Sequence, residues 1–344
     1  MSLVLDLALL AVSFAVILAG AELFTNGIEW VGKRLGLSEG MVGSVLAAVG
    51  TALPETTIPI IAILFVGTAQ SEEIGIGAIL GAPFMLSTAA MFVTGVAVLA
   101  YHRSGRRADH LKIDQVIVRR DLRFFLGMYI VAIAMGLPLF EKPDALRIAV
   151  GVGLVLAYVY YVRRTAGTQS EGHGEALPPL HFQRRLDAPH TRVVFLQVFV
   201  ALAAIIGGAR LFVDQVSDLA TLLGLPALIL ALIIAPLATE LPEKFNSVIW
   251  IRQRKDTLAM GNISGAMVFQ SCIPVAVGIV FTPWILTEFA LASAVIAIGA
   301  GILMQIFLRT GNVISGRELT SLGFFYVAFI AWIVAFPHAA PPVH

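Results

Sequence analysis

Ten apolar runs, each long enough to form a helix that crosses a bilayer, constrain the fold of this chain more than any other feature. Such a helix needs about 17–25 mainly apolar residues. Hydrophobic residues make up 58% of the 344 residues and charged residues 13%, far from the composition of a soluble domain. We therefore predict an all-α polytopic membrane protein with ten transmembrane helices. The predicted spans are 3–24, 41–67, 74–101, 123–141, 145–162, 193–213, 226–251, 259–281, 283–308 and 321–337.

The chain contains an internal duplication. Residues 20–55 align with 208–243 without a gap, at a constant offset of 188, and twelve of the 36 positions are identical. Each copy holds five predicted spans, and an odd number makes the second copy enter the membrane from the opposite side. The sequence thus predicts two inverted-topology repeats, a first half at 1–163 and a second half at 193–344, joined by a linker at 164–192.

Lysine and arginine in the loops set the orientation, because cytoplasmic loops carry an excess of both. With the N-terminus outside, all five cytoplasmic loops are basic. The loops on the opposite side contain a single lysine, Lys142. We therefore predict a multi-pass protein of the cell membrane with both termini outside. The cytoplasmic linker is rich in polar residues and proline, which indicates a solvated, flexible segment. The basic loop 102–123 is interpreted as the orientation signal plus a short surface helix, with a regulatory lipid-headgroup site as the alternative.

Acidic residues inside two of the runs are the strongest pointers to function. The run 226–251 contains Thr-Glu-Leu-Pro-Glu at 239–243, and the run 41–67 contains Gly-Thr-Ala-Leu-Pro-Glu at 50–55. A carboxylate at membrane depth is costly unless it is paired, hydrated or bound to a cation, so its presence there indicates a functional site.

Proline adds a second element to both motifs. Because proline lacks an amide hydrogen and clashes with the carbonyl four residues earlier, Pro54 should free the carbonyl of Gly50, and Pro242 that of Ala238. Freed carbonyls are tolerated in a membrane only where they line a cavity or bind something. The second and seventh helices are therefore predicted to be broken at these points.

The side chains around the prolines are those of a cation site. Thr51 and Glu55, like Thr239 and Glu243, are four residues apart on one helix face. Each motif thus combines a carboxylate, a hydroxyl and a freed carbonyl, the hard oxygen ligands that calcium or sodium prefers. Alternatives remain: the glutamates could form a helix–helix contact, Glu240 could pair with a buried basic group, and the threonines could bond to their own helices.

Two further pairs of matched positions have structural interpretations. Small residues recur in the third and eighth spans, at 77–82 and 261–266, and favour close packing against the broken helices. Glu22 and Arg210 occupy the same position in the two copies, near the ends of the first and sixth spans. A mutual or local salt bridge is a better interpretation of this pair than ion binding.

Several functional classes are disfavoured. The net charge is +1 and the basic residues are dispersed, which argues against a nucleic-acid partner. All seven histidines lie in loops or at the C-terminus, and the spans contain neither His-Glu-x-x-His nor Gly-x-Ser-x-Gly, so we expect neither an enzyme nor a bound cofactor. The expected partners are inorganic cations and the bilayer. A channel or a non-transporting ion sensor is the alternative to a transporter.

The two motif regions resemble the alpha repeats of the calcium/cation antiporter superfamily, to which sodium/calcium exchangers belong. The resemblance rests on the acidic motifs at 50–55 and 238–243 and on the glycine-containing segments 77–86 and 261–270, and it extends over nearly the whole chain. It implies a secondary active antiporter that exchanges calcium for sodium or protons by alternating access at a midplane carboxylate site. Ten spans with an external N-terminus agree with what the family implies.

The resemblance also assigns roles to individual residues. It implies that Glu55 and Glu243 bind the transported cation, with Thr51 and Thr239 as neighbouring ligands. The chain departs from the family pattern at Ala52, Ala82, Leu86, Ala266 and Gln270, where the family has serine, asparagine or aspartate. These losses should weaken sodium sites, so transport of another cation with altered coupling stays open.

Three expectations concern the mechanism. Glu55 and Glu243 should face one another near the midplane, since inverted repeats relate them by a pseudo-twofold axis. Glu240 should replace the acid that is missing at Gln270, and three clustered carboxylates cannot all stay ionised without a cation, which favours proton-linked exchange. The first and sixth spans should move as unpaired helices with few polar anchors against a rigid core of broken helices.

Overall fold

The computed structural model describes residues 3–35, 53–137, 142–166, 177–186, 188–308 and 313–335, apart from the side chains of Leu53, Ala166, Ala238 and 241–246. Four of the predicted site features lie outside this part, namely Gly50, Thr51 and the side chains of Ala238 and Glu243. The described residues are mostly helical, with two strands of three residues each.

The helices follow the apolar runs, and each of the ten predicted spans overlaps one helix or consecutive helices. The helices are α1 (Leu3–Arg34), α2 (Leu53–Ile60), α3 (Ala69–Met85), α4 (Met91–Arg103), α5 (Gln115–Gly136), α6 (Asp144–Ala166), α7 (Thr191–Leu223), α8 (Ala227–Arg252), α9 (Asp256–Gln270), α10 (Ile273–Phe281), α11 (Glu288–Phe307), α12 (Gly316–Ser321) and α13 (Gly323–Ala335). A π-helical segment, Ile61–Val66, extends α2, and a second, Leu86–Ala90, joins α3 to α4.

Seven helical stretches within the described residues are long and apolar enough to cross a membrane. They are Leu3–Arg34, Ala69–Arg103, Asp144–Thr165, Thr191–Leu223, Asp256–Phe281, Glu288–Phe307 and Gly316–Ala335. Helix α5 is not among them because four charged residues lie at 119–123. Two further apolar stretches, Pro54–Val66 and Ala227–Leu237, are shorter. The chain is a multi-pass helical membrane protein.

Helices α1 and α7 pack against one another through reciprocal contacts. A Cβ atom on Gly20 would lie 2.8 Å from Cγ1 of Ile205, and one on Gly208 would lie 2.8 Å from Cγ1 of Ile17. Gly208 and Ile205 are the counterparts of Gly20 and Ile17 at the repeat offset of 188. The same close contact therefore occurs twice, with the roles of the two helices exchanged.

Helices α1 and α7 run antiparallel and share polar anchors. Further along α1, Gly27 approaches Val198, which lies closer to the start of α7. The side-chain nitrogen of Gln197 donates to the carbonyl of Leu23 at 2.9 Å and to Oδ1 of Asn26 at 3.0 Å. The expectation of unpaired first and sixth spans with few polar anchors is therefore wrong, because the two helices are joined to each other.

The predicted close packing of the third span is confirmed. A Cβ atom on Gly77 would lie 2.5 Å from the carbonyl oxygen of Leu228, and one on Gly81 would collide with the carbonyl oxygen of Leu232. Only glycine lets the backbones of α3 and α8 approach so closely.

The corresponding packing of the eighth span stays a prediction. Gly261 and Gly265 have no described atom within 4 Å of a Cβ built on them. In the second half, the expected partner of these glycines is the segment 40–44. It corresponds, at the repeat offset, to the part of α8 that α3 contacts, and it lies outside the described residues.

The predicted break in the seventh span is wrong. Helix α8 continues from Ala227 to Arg252 through Pro236 and Pro242. Each proline removes one hydrogen bond of the helix, and the bonds on either side are sufficient to continue it. In the second span the described backbone departs from α-helical geometry only after Pro59, in the π-helical segment, which ends at Gly67 with a φ of 64°.

The basic loop after α4 forms no surface helix before Gln115, contrary to expectation. It contains β1 (His110–Lys112), which pairs antiparallel with β2 (Val313–Ser315). Arg107 forms a salt bridge of 2.9 Å with Asp256 at the start of α9, and the same carboxylate accepts a hydrogen bond from the Lys112 amide at 2.8 Å. The loop is thus joined to α9 by an ion pair and a hydrogen bond that share one carboxylate oxygen of Asp256.

Part of the linker is also anchored, so the prediction of a wholly solvated segment is wrong for residues 177–186. Leu180 is fully buried beside Trp30 and Val194. The indole nitrogen of Trp30 donates to the carbonyl of Pro178 at 3.0 Å, and the amide of Phe182 donates to a side chain of α7 at 2.9 Å. Apolar side chains and free amides within the linker make this docking favourable.

Candidate cation site

Glu55 lies in the first turn of α2 and is only 7% exposed. It lines a small cavity between α2, α3 and α8. The cavity has a volume of about 10 Å³ and is also lined by Ile58, Ala78, Ala82, Ala235, Pro236 and Thr239. This is room for about one water molecule or one dehydrated cation.

Thr239 comes to this cavity from the second acidic motif, and it is 2% exposed. Its hydroxyl donates a hydrogen bond of 3.1 Å to the carbonyl of Ala235, one turn earlier in α8. The alternative interpretation, a bond back to its own helix, therefore holds for this threonine. The hydroxyl oxygen keeps lone pairs that can accept a bond or coordinate a cation.

The glycine contacts between α3 and α8 determine the opposite wall of the cavity. Because Gly77 and Gly81 bring the helices together, Ala78 and Ala82 reach the space beside Glu55. Both present methyl groups, so this wall supplies no side-chain oxygen.

Glu240 and Gln270 form a second polar pair close to the first. They are 1% and 2% exposed, and the side-chain nitrogen of Gln270 donates to Oε1 of Glu240 at 3.2 Å. Gln270 is the last residue of α9, and its Oε1 has no hydrogen-bond partner among the described residues. Neither residue lines the small cavity, but Glu240 directly follows Thr239 in α8.

The structure thus brings together some of the predicted site residues. Glu55 and Thr239, from the two acidic motifs, line one cavity, while Glu240 and Gln270 contact one another. The remaining positions, Gly50, Thr51 and the side chains of Ala238 and Glu243, lie outside the described part. The expected opposition of Glu55 and Glu243 therefore stays a prediction.

Two positions that depart from the family pattern lie away from the cavity. Leu86 is fully buried at the first residue of the π-helical segment after α3. Ala266 is partly buried against the hydrophobic core. Apolar packing is their observed role.

The matched residues Glu22 and Arg210 have separate partners. Glu22 lies 3.4 Å from Nε2 of His181, and Arg210 lies 3.6 Å from Asp214, four residues later. The expected local ion pair is therefore present for Arg210, whereas Glu22 contacts a linker residue distant in sequence, and the two side chains do not pair with each other.

Among the buried acidic residues that sequence reasoning missed is Asp121, which is 3% exposed in α5. The hydroxyl of Ser264 donates to its Oδ2 at 2.7 Å, the hydroxyl of Tyr161 donates to its Oδ1, and Arg120 forms an ion pair of 3.2 Å. The only signal was an aspartate among the arginines just before the fourth predicted span. Asp121 joins α5, α6 and α9, and its hydrogen bonds stabilise the buried carboxylate.

The long apolar helices define a multi-pass membrane protein, and its helical bundle encloses a buried carboxylate and a buried hydroxyl. The chain belongs to the sodium/calcium exchanger protein family, whose model matches residues 5–165 and 193–335. The predicted family resemblance is thereby confirmed. Members of this family are transporters, so the chain is a membrane transporter and not an enzyme.

Relatives and solved structures agree with this assignment. The sodium/calcium exchanger MaX1 of Methanosarcina acetivorans is 24% identical over 94% of this chain and 96% of its own. The crystal structure of the H⁺/Ca²⁺ exchanger CAX superimposes with a TM-score of 0.69 at 15% identity, covering 97% of this chain and 82% of that one. The sodium-calcium exchanger NCX_Mj superimposes with a TM-score of 0.57 at 18% identity, covering 96% and 99%. The two structural likenesses establish the fold.

Proposed function

We propose that this chain is a secondary active cation antiporter that exchanges calcium for sodium or protons by alternating access. The observation that carries the proposal is the cavity shared by Glu55 and Thr239, which come from the acidic motifs of the two repeats. A buried carboxylate next to a hydroxyl, in a space the size of one water molecule, suits a dehydrated cation.

The transported cation needs more ligands than the cavity alone provides. Calcium takes about 6–8 oxygen ligands, and the described cavity is lined by one carboxylate residue, Glu55, and one hydroxyl residue, Thr239. In our proposal Glu243, Thr51 and the carbonyls of Gly50 and Ala238 complete the site. Glu240 and Gln270 form an adjacent pair that adds a carboxylate and an amide oxygen.

The architecture is proposed to be two inverted repeats of five spans with both termini outside. The antiparallel packing of α1 and α7, with the reciprocal Gly20 and Gly208 contacts, supports a pseudo-twofold relation between the halves. The family match supports the division of the chain, since its two matched ranges leave out residues 166–192, which are nearly all of the linker. The basic loops support the orientation.

The choice of ions rests on chemistry and on the relatives. MaX1 is named a sodium/calcium exchanger and CAX an H⁺/Ca²⁺ exchanger, which favours calcium as one of the ions. Alanine at position 82 leaves the cavity wall without a hydroxyl and thus weakens a sodium site. Protonation of one carboxylate of the site in the absence of a cation would allow proton-coupled exchange. Antiport of another cation, with altered coupling, is the second candidate.

Alternating access is proposed to use α1 and α7 as one moving unit. Their mutual contacts and shared hydrogen bonds keep them together, whereas α3 and α8 are locked to one another by the glycine contacts. A rigid pair that moves over a rigid core satisfies both sets of contacts.

The proposal is tested by calcium flux into proteoliposomes that contain the purified chain, with a sodium gradient, a pH gradient or no counter-gradient. An antiporter transports calcium only with a counter-ion, a channel transports it without one, and a sensor transports none. We expect Glu55→Gln to reduce flux to background. Glu22→Gln is the matched control, because the Glu22 side chain is 74% exposed. Wild-type flux in the Glu55 variant would contradict the proposed site.

A further inference from the structure

Side-chain hydrogen bonds between the α1–α7 pair and the other transmembrane helices are concentrated at one end of the bundle. In the described part of the chain they come from one side chain, Gln70, in the first turn of α3. Its Nε2 donates to the carbonyl of Ser217 at 3.1 Å and to the hydroxyl of Thr221 at 3.4 Å. The two acceptors are one turn apart in α7, and Thr221 donates to the same Ser217 carbonyl at 3.0 Å.

Gln70 belongs to a firmly held turn of the core. Helix α3 begins with a capping box, which fixes its first turn. Three residues after Gln70, the carboxylate of Glu73 accepts hydrogen bonds from the backbone amides of Ala227 and Leu228, at the start of α8. The glycine contacts of α3 with α8 follow directly after this turn. The bonds of Gln70 therefore attach α7 to the rigid pair of α3 and α8.

Gln70 also lies in line with the wall of the candidate cation cavity. Residues 70, 74, 78 and 82 form one i+4 row along α3, and Ala78 and Ala82 line the cavity. At 1.5 Å per residue, Gln70 is about 12 Å from Ala78 along the helix. Between them, Ile74 is fully buried in the same apolar cluster as Val216 of α7. The seam between α3 and α7 thus leads from Gln70 towards the cavity, and apolar packing closes it.

The opposite end of the α1–α7 pair has no corresponding bond in the described part of the chain. At the repeat offset of 188, Ser217 and Thr221 correspond to Glu29 and Lys33 of α1. Neither of these side chains bonds to another helix among the described residues, and Lys33 lies 4.9 Å from the ring centroid of Trp30 in its own helix. The described attachment of the pair to the core is therefore at one end. By the proposed orientation this is the external end.

We propose that Gln70 is the latch of the external entrance to the cation site, and that its bonds to Ser217 and Thr221 hold this entrance closed. The inference rests on the proposed function, in which the α1–α7 pair moves over the core. Movement of α7 away from α3 at the external end breaks both bonds, whereas movement at the cytoplasmic end leaves them intact. The net contribution of one hydrogen bond corresponds to a change of about two- to tenfold in the ratio of closed to open entrances.

External access is tested by labelling a cysteine placed behind the latch. Cys272 is the single cysteine of the chain, so Cys272→Ala/Val216→Cys leaves one thiol, within the apolar seam. The full chain, in proteoliposomes of known orientation, is treated from the external side with a membrane-impermeant thiol reagent. We expect Gln70→Leu to raise the labelling rate by about two- to tenfold, because the hydrogen-bond donor is removed while the side chain keeps a similar size.

Gln253→Leu is the matched control. The Gln253 side chain is exposed at the end of α8, away from the α3–α7 seam, and this variant should label like its parent. Thr221→Val removes only the more distant acceptor and should give a smaller increase than Gln70→Leu. This variant serves if Gln70→Leu does not fold. An unchanged labelling rate in both latch variants would overturn the proposal, and so would an equal increase in the control.

A crosslink provides the converse test. In Gln70→Cys/Thr221→Cys, on the background without Cys272, a short cleavable bifunctional thiol reagent should stop calcium flux, and cleavage of the reagent should restore it. Persistent flux in a fully crosslinked sample would contradict the latch. Labelling requires no transport, so the two proposals fail separately. Faster labelling of the Gln70 variant in a chain without calcium flux refutes the antiporter and leaves the closed α3–α7 contact, whereas normal flux with unchanged labelling refutes only the latch.

Discussion

The two repeats are alike where they pack together and unlike where they contribute to the site. At the α1–α7 contact, both copies have the same glycine and the same isoleucine, and each glycine faces the isoleucine of the other helix. A reciprocal contact makes the same steric demand on both copies. Divergence in either one would therefore disturb the interface.

The polar residues of the second repeat have apolar counterparts in the first. Glu240 corresponds to Ala52, and Gln270 corresponds to Leu86 at the offset of the small-residue segments. In the second half the two polar side chains bond to one another, and both positions are apolar in the first half. A buried polar group requires a partner, so the two positions change together.

This difference shows how a duplicated transporter can specialise. A cation responds to the number and charge of the oxygen atoms around it, whichever repeat supplies them. Close packing between two backbones is blocked by a single added atom, because every residue except glycine has a Cβ. The scaffold thus tolerates less asymmetry than the site does.

The largest effect on stability is expected from Gly81→Ala. The added methyl group would collide with the backbone carbonyl of Leu232, which cannot move aside as a flexible side chain can. We expect a loss of about 3 kcal/mol, at the upper end for overpacking, measured as thermal stability in detergent. Gly153→Ala in α6 is the control, since no described atom lies within 4 Å of a Cβ there. Equal stability of the two variants would show that α3 and α8 are less closely packed.

A smaller effect is expected from Gln270→Leu, which introduces the residue of the first repeat. The carboxylate of Glu240 would lose a hydrogen-bond donor while staying buried, at a cost of about 1–3 kcal/mol. The double variant Glu240→Ala/Gln270→Leu restores the apolar pair and should recover most of this loss. A double-mutant cycle measures the coupling, and simple additivity would show that the pair is not coupled.

The proton-coupling hypothesis is examined with Glu240→Gln. If Glu240 belongs to the site, the variant should alter the pH profile of flux and lower the cation affinity several-fold, since one carboxylate is removed. An unchanged profile together with an unchanged affinity would place Glu240 outside the site. Stability measured on the same samples separates this outcome from misfolding.

The reciprocal contact predicts matched, modest effects for Gly20→Ala and Gly208→Ala. Each added methyl group meets the tip of an isoleucine, which can partly yield, so we expect a loss of about 1 kcal/mol for either. Gly207→Ala is the control, one position away, with no described atom within 4 Å of its Cβ. Losses that differ by more than about 0.5 kcal/mol would argue against the pseudo-twofold relation.

The smallest effect on stability is expected from Thr239→Val, because its hydroxyl bonds only to its own helix in the described structure. We expect a change of within about 0.5 kcal/mol but a several-fold loss of cation affinity. Titration with calcium measures the second quantity, and unchanged affinity would restrict Thr239 to a structural role. Thr51→Val provides the same test in the other motif.

The sequence alone determined the class, the helical segments and the family. Long apolar runs must become helices in a bilayer because backbone groups find no other partners there, so composition and length suffice. It also pointed to Glu55, Thr239, Glu240 and Gln270, since polar residues in such runs stand out. The loop charges predicted an orientation that the structure leaves as a proposal.

Only the tertiary structure decided which of these residues meet. The cavity between Glu55 and Thr239 depends on how closely α3 approaches α8, and the pairing of Glu240 with Gln270 depends on where α9 ends. The break expected at Pro242 was wrong because a proline's effect depends on the hydrogen bonds on either side of it. The docked linker and the joined α1–α7 pair were missed for a related reason. Contacts between distant segments are set by packing in three dimensions, which local patterns do not encode.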